Sequence, residues 1–329
     1  MRLILDAEIR PGTVDRLRAL SADLQVVDRT LDPTYDPRAL VDPEVEVIVG
    51  SRPPTDLAGV PSLRWLQTRS AGVNHLAEDP PWRHGIVVTN ARGVYAIPIA
   101  EYVGGMVLRI HQPAARWAAD QAAHVWPDDV PELVSIVRGK TAVIAGYGSI
   151  GREVARLLAA IGMRIIAVKA RPEVRADTSF RVPGTGDPDG SIPERIVADA
   201  DLATVAGEAD VLVLTMPLTE TTRGIVGREV IAALPAGAWL INVARGPLVD
   251  EPALLEAVLA GRLGGAVLDV FGEEPLPADS PWWDAPNVIV TPHASGQTLR
   301  FFDELVVENV RRYLAGETLL NLVDPVRGY

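Results

Sequence analysis

Thr141-Ala-Val-Ile-Ala-Gly-Tyr-Gly-Ser-Ile-Gly151 is a short apolar run that ends in a Gly146-x-Gly148-x-x-Gly151 loop. Each glycine answers a different demand. Gly146 permits a tight turn, Gly148 lets the backbone approach a pyrophosphate, and Gly151 lets a helix pack closely on its strand. The N–H groups at the helix start and the positive end of its dipole then face the phosphates. Such a triplet can also be a plain turn in another α/β protein, so the flanks decide. Ile150, Val154, Leu157, Leu158 and Ile161 follow at helical spacing, and Met163-Arg-Ile-Ile-Ala-Val168 reads as the next strand. Strand, glycine loop, helix and strand make one βαβ unit.

The same rhythm extends in both directions. Before the loop, Leu3–Leu5, Gln25–Val27, Val45–Val49, Leu63–Gln67 and Ile86–Thr89 are β-rich runs separated by helical or proline-marked turn segments. After it, Asp210–Thr215, Ala238–Val243, Gly265–Asp269 and Asn287–Thr291 are apolar runs suited to strands covered on both faces. Helices are predicted over Pro98–Ile110, near 227–234 and 252–260, and over roughly Leu299–Leu314. Residues from Arg171 to about Asp199, rich in Pro, Gly, Asp and Arg, read as an exposed loop. With 329 residues the chain exceeds what one core usually serves. We expect an α/β protein of two Rossmann-like domains with parallel sheets and a cleft between them. Residues 1–97 plus 298–329 would form a discontinuous substrate-binding domain, and 98–297 the dinucleotide-binding domain.

Composition narrows the function classes. Lys+Arg 31 against Asp+Glu 43 gives a formal charge of -12, which repels nucleic acid and anionic membranes at long range. The absence of cysteine removes disulfides, thiolate metal sites and a cysteine nucleophile. No metal site is expected. The start of the chain is too short and too soon acidic for a signal peptide, and no apolar run spans a bilayer, so a soluble cytoplasmic protein is expected.

Four of the five histidines (His75, His84, His111, His124) lie in the first domain or the connector. His293 instead follows the strand of Val288-Ile-Val-Thr-Pro-His293, at the carboxyl edge where open parallel sheets bind ligands. Arg245 in Asn242-Val-Ala-Arg-Gly246 and Glu274 in Asp269-Val-Phe-Gly-Glu-Glu-Pro275 also come just after strands. Singly, each has a plain alternative: a surface arginine, a residue of an acidic turn, a strand-end cap. Together they suit an anionic carbonyl substrate. Arginine can grip a carboxylate and polarise a carbonyl, histidine can exchange a proton, and a carboxylate can orient that histidine.

These motifs, with Gln67-Thr-Arg-Ser-Ala-Gly-Val73, Val88-Thr-Asn-Ala-Arg-Gly93, Ile99-Ala-Glu101 and Met216-Pro-Leu-Thr219, resemble the D-isomer-specific 2-hydroxyacid dehydrogenase family over nearly the whole length. The resemblance implies a hydride transfer between a nicotinamide cofactor and a small 2-oxo or 2-hydroxy acid of the glyoxylate or hydroxypyruvate type. It gives Arg245 the substrate carboxylate and carbonyl, His293 the proton donated in reduction, and Glu274 the pairing with His293. Gln in place of Glu274 would have pointed toward formate dehydrogenase. Cofactor contacts are expected from Gly146, Tyr147, Gly148, Ser149, Ile150, Gly151, Pro217, Thr222, Val243, Ala244 and Asp269, the last resembling the aspartate that meets the nicotinamide amide. Ala71 and Gly72 resemble a carboxylate-holding loop, and Tyr95 a cleft-lining position or a packing residue. Relatives of this kind usually dimerise through the cofactor domain, with Trp117 and Trp126 as contributors here. Two other readings stay open: a phosphoglycerate dehydrogenase-like activity, and a dinucleotide-sensing corepressor or scaffold.

The cofactor's phosphate state has its own signal. NAD-preferring Rossmann domains usually end the second strand on an acid that takes the ribose 2′-OH, but the chain here reads Ala167-Val-Lys-Ala-Arg171. Lys169, one of only two lysines, and Arg171 would attract a 2′-phosphate. The reading is NADP(H) preferred, with NAD(H) as the alternative; otherwise the two are solvated surface cations.

Overall fold

A computed structural model of the chain describes all residues except 31, 33, 129–133, 299 and 326–329. The chain divides into two compact units: Met1–Tyr95, Thr178–Pro183 and Thr298–Tyr329 form one, and Ala96–Asp177 with Gly184–Gln297 form the other. The boundary at 95/96 falls close to the one expected. The assignment of Thr178–Pro183 to the first unit corrects the reading of 98–297 as one unbroken domain.

In the first unit β1 (Arg2–Leu5), β2 (Gln25–Asp28), β3 (Val45–Gly50), β4 (Trp65–Thr68) and β5 (Val87–Thr89) lie in the order β2-β1-β3-β4-β5, every pair parallel. Alternation along a strand sends neighbours to opposite faces. Leu3, Leu5, Val47 and Val49 accordingly pack with Leu17 of α1 (Thr13–Arg18) and with Phe302, Leu305, Val306 and Val310 of the C-terminal helix Phe302–Leu314. Ile4, Ile48 and Leu66 face the other layer with Val60, Leu63 and Val88. Because the sheet is covered on both sides, a polar side chain in it must find partners inside. Gln67 does. Its Oε1 accepts from the Thr89 hydroxyl at 2.8 Å and from Asn309 Nδ2 at 2.9 Å, tying the C-terminal helix to β4. That helix starts at Phe302; Leu299, where the sequence reading began it, lies outside the described residues.

In the second unit α2 (Ala96–His111) and α3 (Ala114–Ala123) precede β6 (Thr141–Ala145), α4 (Ser149–Ala160), β7 (Arg164–Val168), β8 (Arg195–Val197), α5 (Leu202–Ala206), β9 (Val211–Leu214), α6 (Arg228–Ala233), β10 (Trp239–Asn242), α7 (Glu251–Leu259), β11 (Gly265–Leu268) and β12 (Val288–Val290). The strand order is β12-β11-β10-β9-β6-β7-β8, all parallel. Strand order reverses between β6 and β9, so the glycine loop after β6 opens at the switch point where such sheets bind ligands. Every residue of β6, β9 and β11 is buried, as continuous apolar runs require.

The segment read as an exposed loop differs in part. Its end forms β8, paired to β7 through Ile166, Ala167 and Val168, and within it Asp187 is only 3% exposed. Short polar and glycine-rich sequence hid that burial, because the partners lie in another element.

Candidate active site

The glycine loop shows why each glycine is there. Gly146 has φ +108, and a Cβ on it would meet Met216 N at 2.3 Å; one on Gly151 would meet Gly146 O at 2.0 Å. Those two are demanded by the chain itself. Gly148 is different: a Cβ there would meet no protein atom within 4 Å. The chain leaves room beside it, which is what close approach of a pyrophosphate requires. The first i→i−4 bond of α4 runs from Arg152 N–H to Gly148 O, so the N–H groups ahead of it lie outside the helix's own ladder, as anion binding at a helix start requires. These residues fit a dinucleotide.

The neighbouring cofactor candidates are arranged by their own loops. The Thr222 hydroxyl donates to Pro217 O at 2.7 Å and accepts from Thr219 N–H at 2.8 Å, closing the turn after β9. Val243 and Ala244 are buried just beyond β10. Tyr147 is a correction in part: its ring is 2% exposed and its hydroxyl donates to Asp187 Oδ2 at 2.5 Å, so only its backbone is open to a cofactor role. Lys169 is half-buried and donates to Val174 O at 2.6 Å. Burial, and then Arg152 and Arg171, pull its ammonium below the usual lysine value, with Asp177 and Glu173 opposing. Arg171 is exposed.

Arg245, Glu274 and His293 follow β10, β11 and β12, which are consecutive neighbours in the sheet. Topology therefore gathers residues up to 48 positions apart onto one carboxyl edge. His293 Nδ1 lies 2.8 Å from Glu274 Oε2, and Glu274 Oε1 accepts the Phe271 N–H at 2.9 Å. An ionised carboxylate only accepts, so this contact puts a proton on Nδ1 and leaves Nε2 to face a reactant. Arg245 is partly buried, and its Nη1 donates to Ala244 O at 2.6 Å. Burial pulls the guanidinium below its ordinary value, with Glu274 acting in opposition through space. Among the described residues no carboxylate stands within ion-pair distance of Arg245. A half-buried cation without a protein counter-ion is suited to an anionic ligand.

The loop carrying His293 is held by contacts that sequence reasoning missed. His293 itself has φ +52, a left-handed conformation that costs a non-glycine residue about 1 kcal/mol or more. Asp269, 1% exposed, offsets it. Its backbone O accepts His293 N–H at 2.9 Å, Oδ1 accepts Ala294 N–H at 2.8 Å and the Thr291 hydroxyl at 2.5 Å, and Oδ2 accepts Ser295 N–H at 3.0 Å. The Tyr102 hydroxyl of α2 reaches Thr291 Oγ1 at 2.7 Å. A chain from α2 through Thr291 and Asp269 thus sets where the imidazole stands. Thr291→Val keeps the branched shape and removes the link. The expected result is a kcat about fivefold lower, the value of one buried hydrogen bond, at an unchanged KM for cofactor. Wild-type kcat in that variant would show that the chain does not position His293.

In the first unit, Ala71 and Gly72 sit in a tight loop after β4. The Thr68 hydroxyl donates to Ser70 O at 3.1 Å, the Ser70 hydroxyl to Gly72 O at 2.8 Å, and Ala91 N–H to Ser70 O at 2.9 Å. Tyr95 donates its hydroxyl to Arg69 O and packs on the core of that unit.

Known proteins resemble the chain over most of its length. The family model for the NAD binding domain of D-isomer specific 2-hydroxyacid dehydrogenases matches residues 104–295. The chain is 33% identical over 321 residues to glyoxylate/hydroxypyruvate reductase B of Pectobacterium carotovorum subsp. carotovorum, covering 94% of this chain and 95% of that protein. Among solved structures it is similar to a D-isomer specific 2-hydroxyacid dehydrogenase from Xanthobacter autotrophicus Py2 in complex with NADPH and MES, at 30% identity and TM-score 0.77 over 100% of this chain and 99% of that one. It is similar also to an NADPH-dependent glyoxylate/hydroxypyruvate reductase from Sinorhizobium meliloti in complex with NADP and sulfate, at 29% identity and TM-score 0.77 over the same shares.

Proposed function

Because the chain belongs to the D-isomer-specific 2-hydroxyacid dehydrogenase family and is an oxidoreductase, we propose that it reduces a small 2-oxo acid of the glyoxylate or hydroxypyruvate type with NADP(H). The observation that carries this reading is the edge formed after β10, β11 and β12: a guanidinium without a carboxylate partner among the described residues, beside an imidazole whose Nδ1 is engaged by Glu274.

A bound dihydronicotinamide would supply the hydride. Arg245 grips the substrate carboxylate and opposes the charge that grows on the carbonyl oxygen as the carbon is reduced. His293 gives its Nε2 proton to that oxygen, and Glu274 holds the resulting neutral ring in the tautomer with hydrogen on Nδ1. The roles of Ala71 and Gly72 toward the carboxylate, of Tyr95 in the pocket, and of Asp269 toward the nicotinamide amide rest on the family resemblance. A panel of 2-oxo acids scored by loss of NADPH absorbance tests the function. Tight cofactor binding with no turnover on any of them would favour a sensing role instead.

Support for NADP(H) comes from the missing acid after β7 and from Lys169 and Arg171 just beyond that strand; burial, and then Arg152 and Arg171, pull the Lys169 ammonium down while Asp177 and Glu173 oppose them, and a 2′-phosphate would add to that opposition. The expected kcat/KM ratio of NADPH over NADH is about tenfold or more, 1.4 kcal/mol of differential binding. A ratio reversed toward NADH sinks the preference.

We also infer a homodimer formed through the second unit. Trp126 is 92% exposed, Ile136 75%, Val125 55%, Leu108 47% and Trp117 37%, all on or after α2 and α3. Apolar surface gathered in one stretch is the mark of an interface. Light scattering should give twice the 35.3 kDa of one chain, and Trp126→Asp should shift it toward the monomer mass. A monomeric wild type would remove this assignment.

A further inference from the structure

Tyr147 lies between the first two glycines of the cofactor loop and Arg152 and Glu153 follow the third, yet they are among the most buried polar side chains of the described residues, at 2%, 2% and 1% exposure. All three are turned onto the excursion between β7 and β8. The Tyr147 hydroxyl donates to Asp187 Oδ2 at 2.5 Å, and Asp187 also accepts Ser191 N–H at 3.0 Å and Ile192 N–H at 3.1 Å. The Arg152 guanidinium lies over the Tyr147 ring at 4.8 Å, donates to the backbone carbonyls of Asp187 and, at 2.6 Å, Arg175, and has its Nε 3.7 Å from Asp177. Glu153 accepts Gly186 N–H at 2.6 Å while paired with Arg156. From the strand side, Lys169 donates to Val174 O, and Arg175 reaches Gly190 O at 2.8 Å. Both legs of the excursion, 174–177 and 186–192, are therefore tied to the loop and helix that take the cofactor.

Burying a guanidinium and two carboxylates is costly unless each is matched, and an apolar contact would hold a surface segment at less cost. What the charged network adds is position: a planar fork sets two carbonyls at once. The excursion also leaves β7 at Lys169, and the end of that second strand is where a Rossmann domain meets the ribose of the adenosine half.

We propose that Tyr147, Arg152 and Asp187 are positioning residues that hold segments 170–177 and 184–192, which follow the strand end where the adenosine half of the dinucleotide is met, in register with the glycine loop, for a 2′-phosphorylated adenine nucleotide by preference. This rests on the reading of Gly146–Gly151 as the dinucleotide site.

The test uses 2′,5′-ADP and ADP as probes of that half alone, measured by calorimetry on the full chain, together with steady-state kinetics in NADPH. Tyr147→Phe removes one oxygen; Arg152→Met replaces the buried cation by an unbranched apolar chain. For each the expected result is a Kd for 2′,5′-ADP and a KM for NADPH raised about five- to tenfold, the worth of a buried hydrogen bond or slightly more, while kcat at saturating NADPH moves less than about twofold. A merely structural role would lower Tm and leave Kd and the split between KM and kcat untouched. The proposal is overturned if folded Tyr147→Phe binds both probes with wild-type Kd, a result that stands even if Arg152→Met does not fold. It is overturned also if hydrogen exchange at Gly186, Ser191 and Ile192 in the wild type is indifferent to saturating probe. A wild type that binds ADP as tightly as 2′,5′-ADP overturns the NADP(H) preference instead, and the positioning role of Tyr147 and Arg152 is then read from the ratio of variant to wild-type Kd for ADP.

Discussion

Replacing His293 by alanine is expected to lower kcat by about 10²–10⁴-fold, the range for loss of a positioned general acid, with the Kd for NADPH close to wild type. The size follows from how the imidazole is held. Nδ1 is committed to Glu274 at 2.8 Å, and the backbone at φ +52 is fixed by Asp269, so one nitrogen is left in one place for one proton. The Asp269 carboxylate meanwhile holds Thr291, Ala294 and Ser295. The side chain is 48% exposed, so its removal leaves no buried cavity and folding should survive. Single-turnover absorbance with saturating NADPH separates the chemical step from binding. Wild-type turnover in His293→Ala would remove the residue from its role.

Arg245→Leu should have the second largest effect, a loss of about 10²–10³ in kcat with a raised KM for the 2-oxo acid, because charge growing on the carbonyl oxygen loses the guanidinium that opposes it. Burial strengthens that donor: a guanidinium partly removed from water and without an ion pair among the described residues meets an anion with little competing solvation. Arg245→Lys should recover only part of the loss, since an ammonium is a point charge and cannot present two parallel N–H groups to carboxylate and carbonyl. Steady-state kinetics across the substrate panel check both variants. A lysine variant equal to wild type would argue against two-pronged binding, and a leucine variant with only a raised KM would confine Arg245 to ground-state binding.

Much of this site was legible because its signals are local. A glycine that must clear Met216 N at 2.3 Å, or helix packing that must clear Gly146 O at 2.0 Å, leaves its mark at a single position. Runs such as Val211–Leu214 declare a doubly covered strand by composition alone, and residues just after strands share one edge once the strands are parallel. Arg245, Glu274 and His293 could therefore be named without coordinates. The strand Arg195–Val197 could not, being three residues long with its partner 29 positions earlier. Nor could the roles of Tyr102 and Thr291, which meet across 189 positions.

By itself, then, the sequence determined the α/β class, the place of the glycine loop and the position of Arg245, Glu274 and His293 just after strands, since periodicity, glycine sterics and strand-end position are properties of neighbouring residues. Only the tertiary structure decided what the charged residues around that loop do. Arg152, Glu153 and Asp187 have the look of solvated surface groups in a string of letters. Their burial at 2%, 1% and 3% depends on partners 23 to 40 positions away, and desolvation is a property of the assembled neighbourhood rather than of any residue in it.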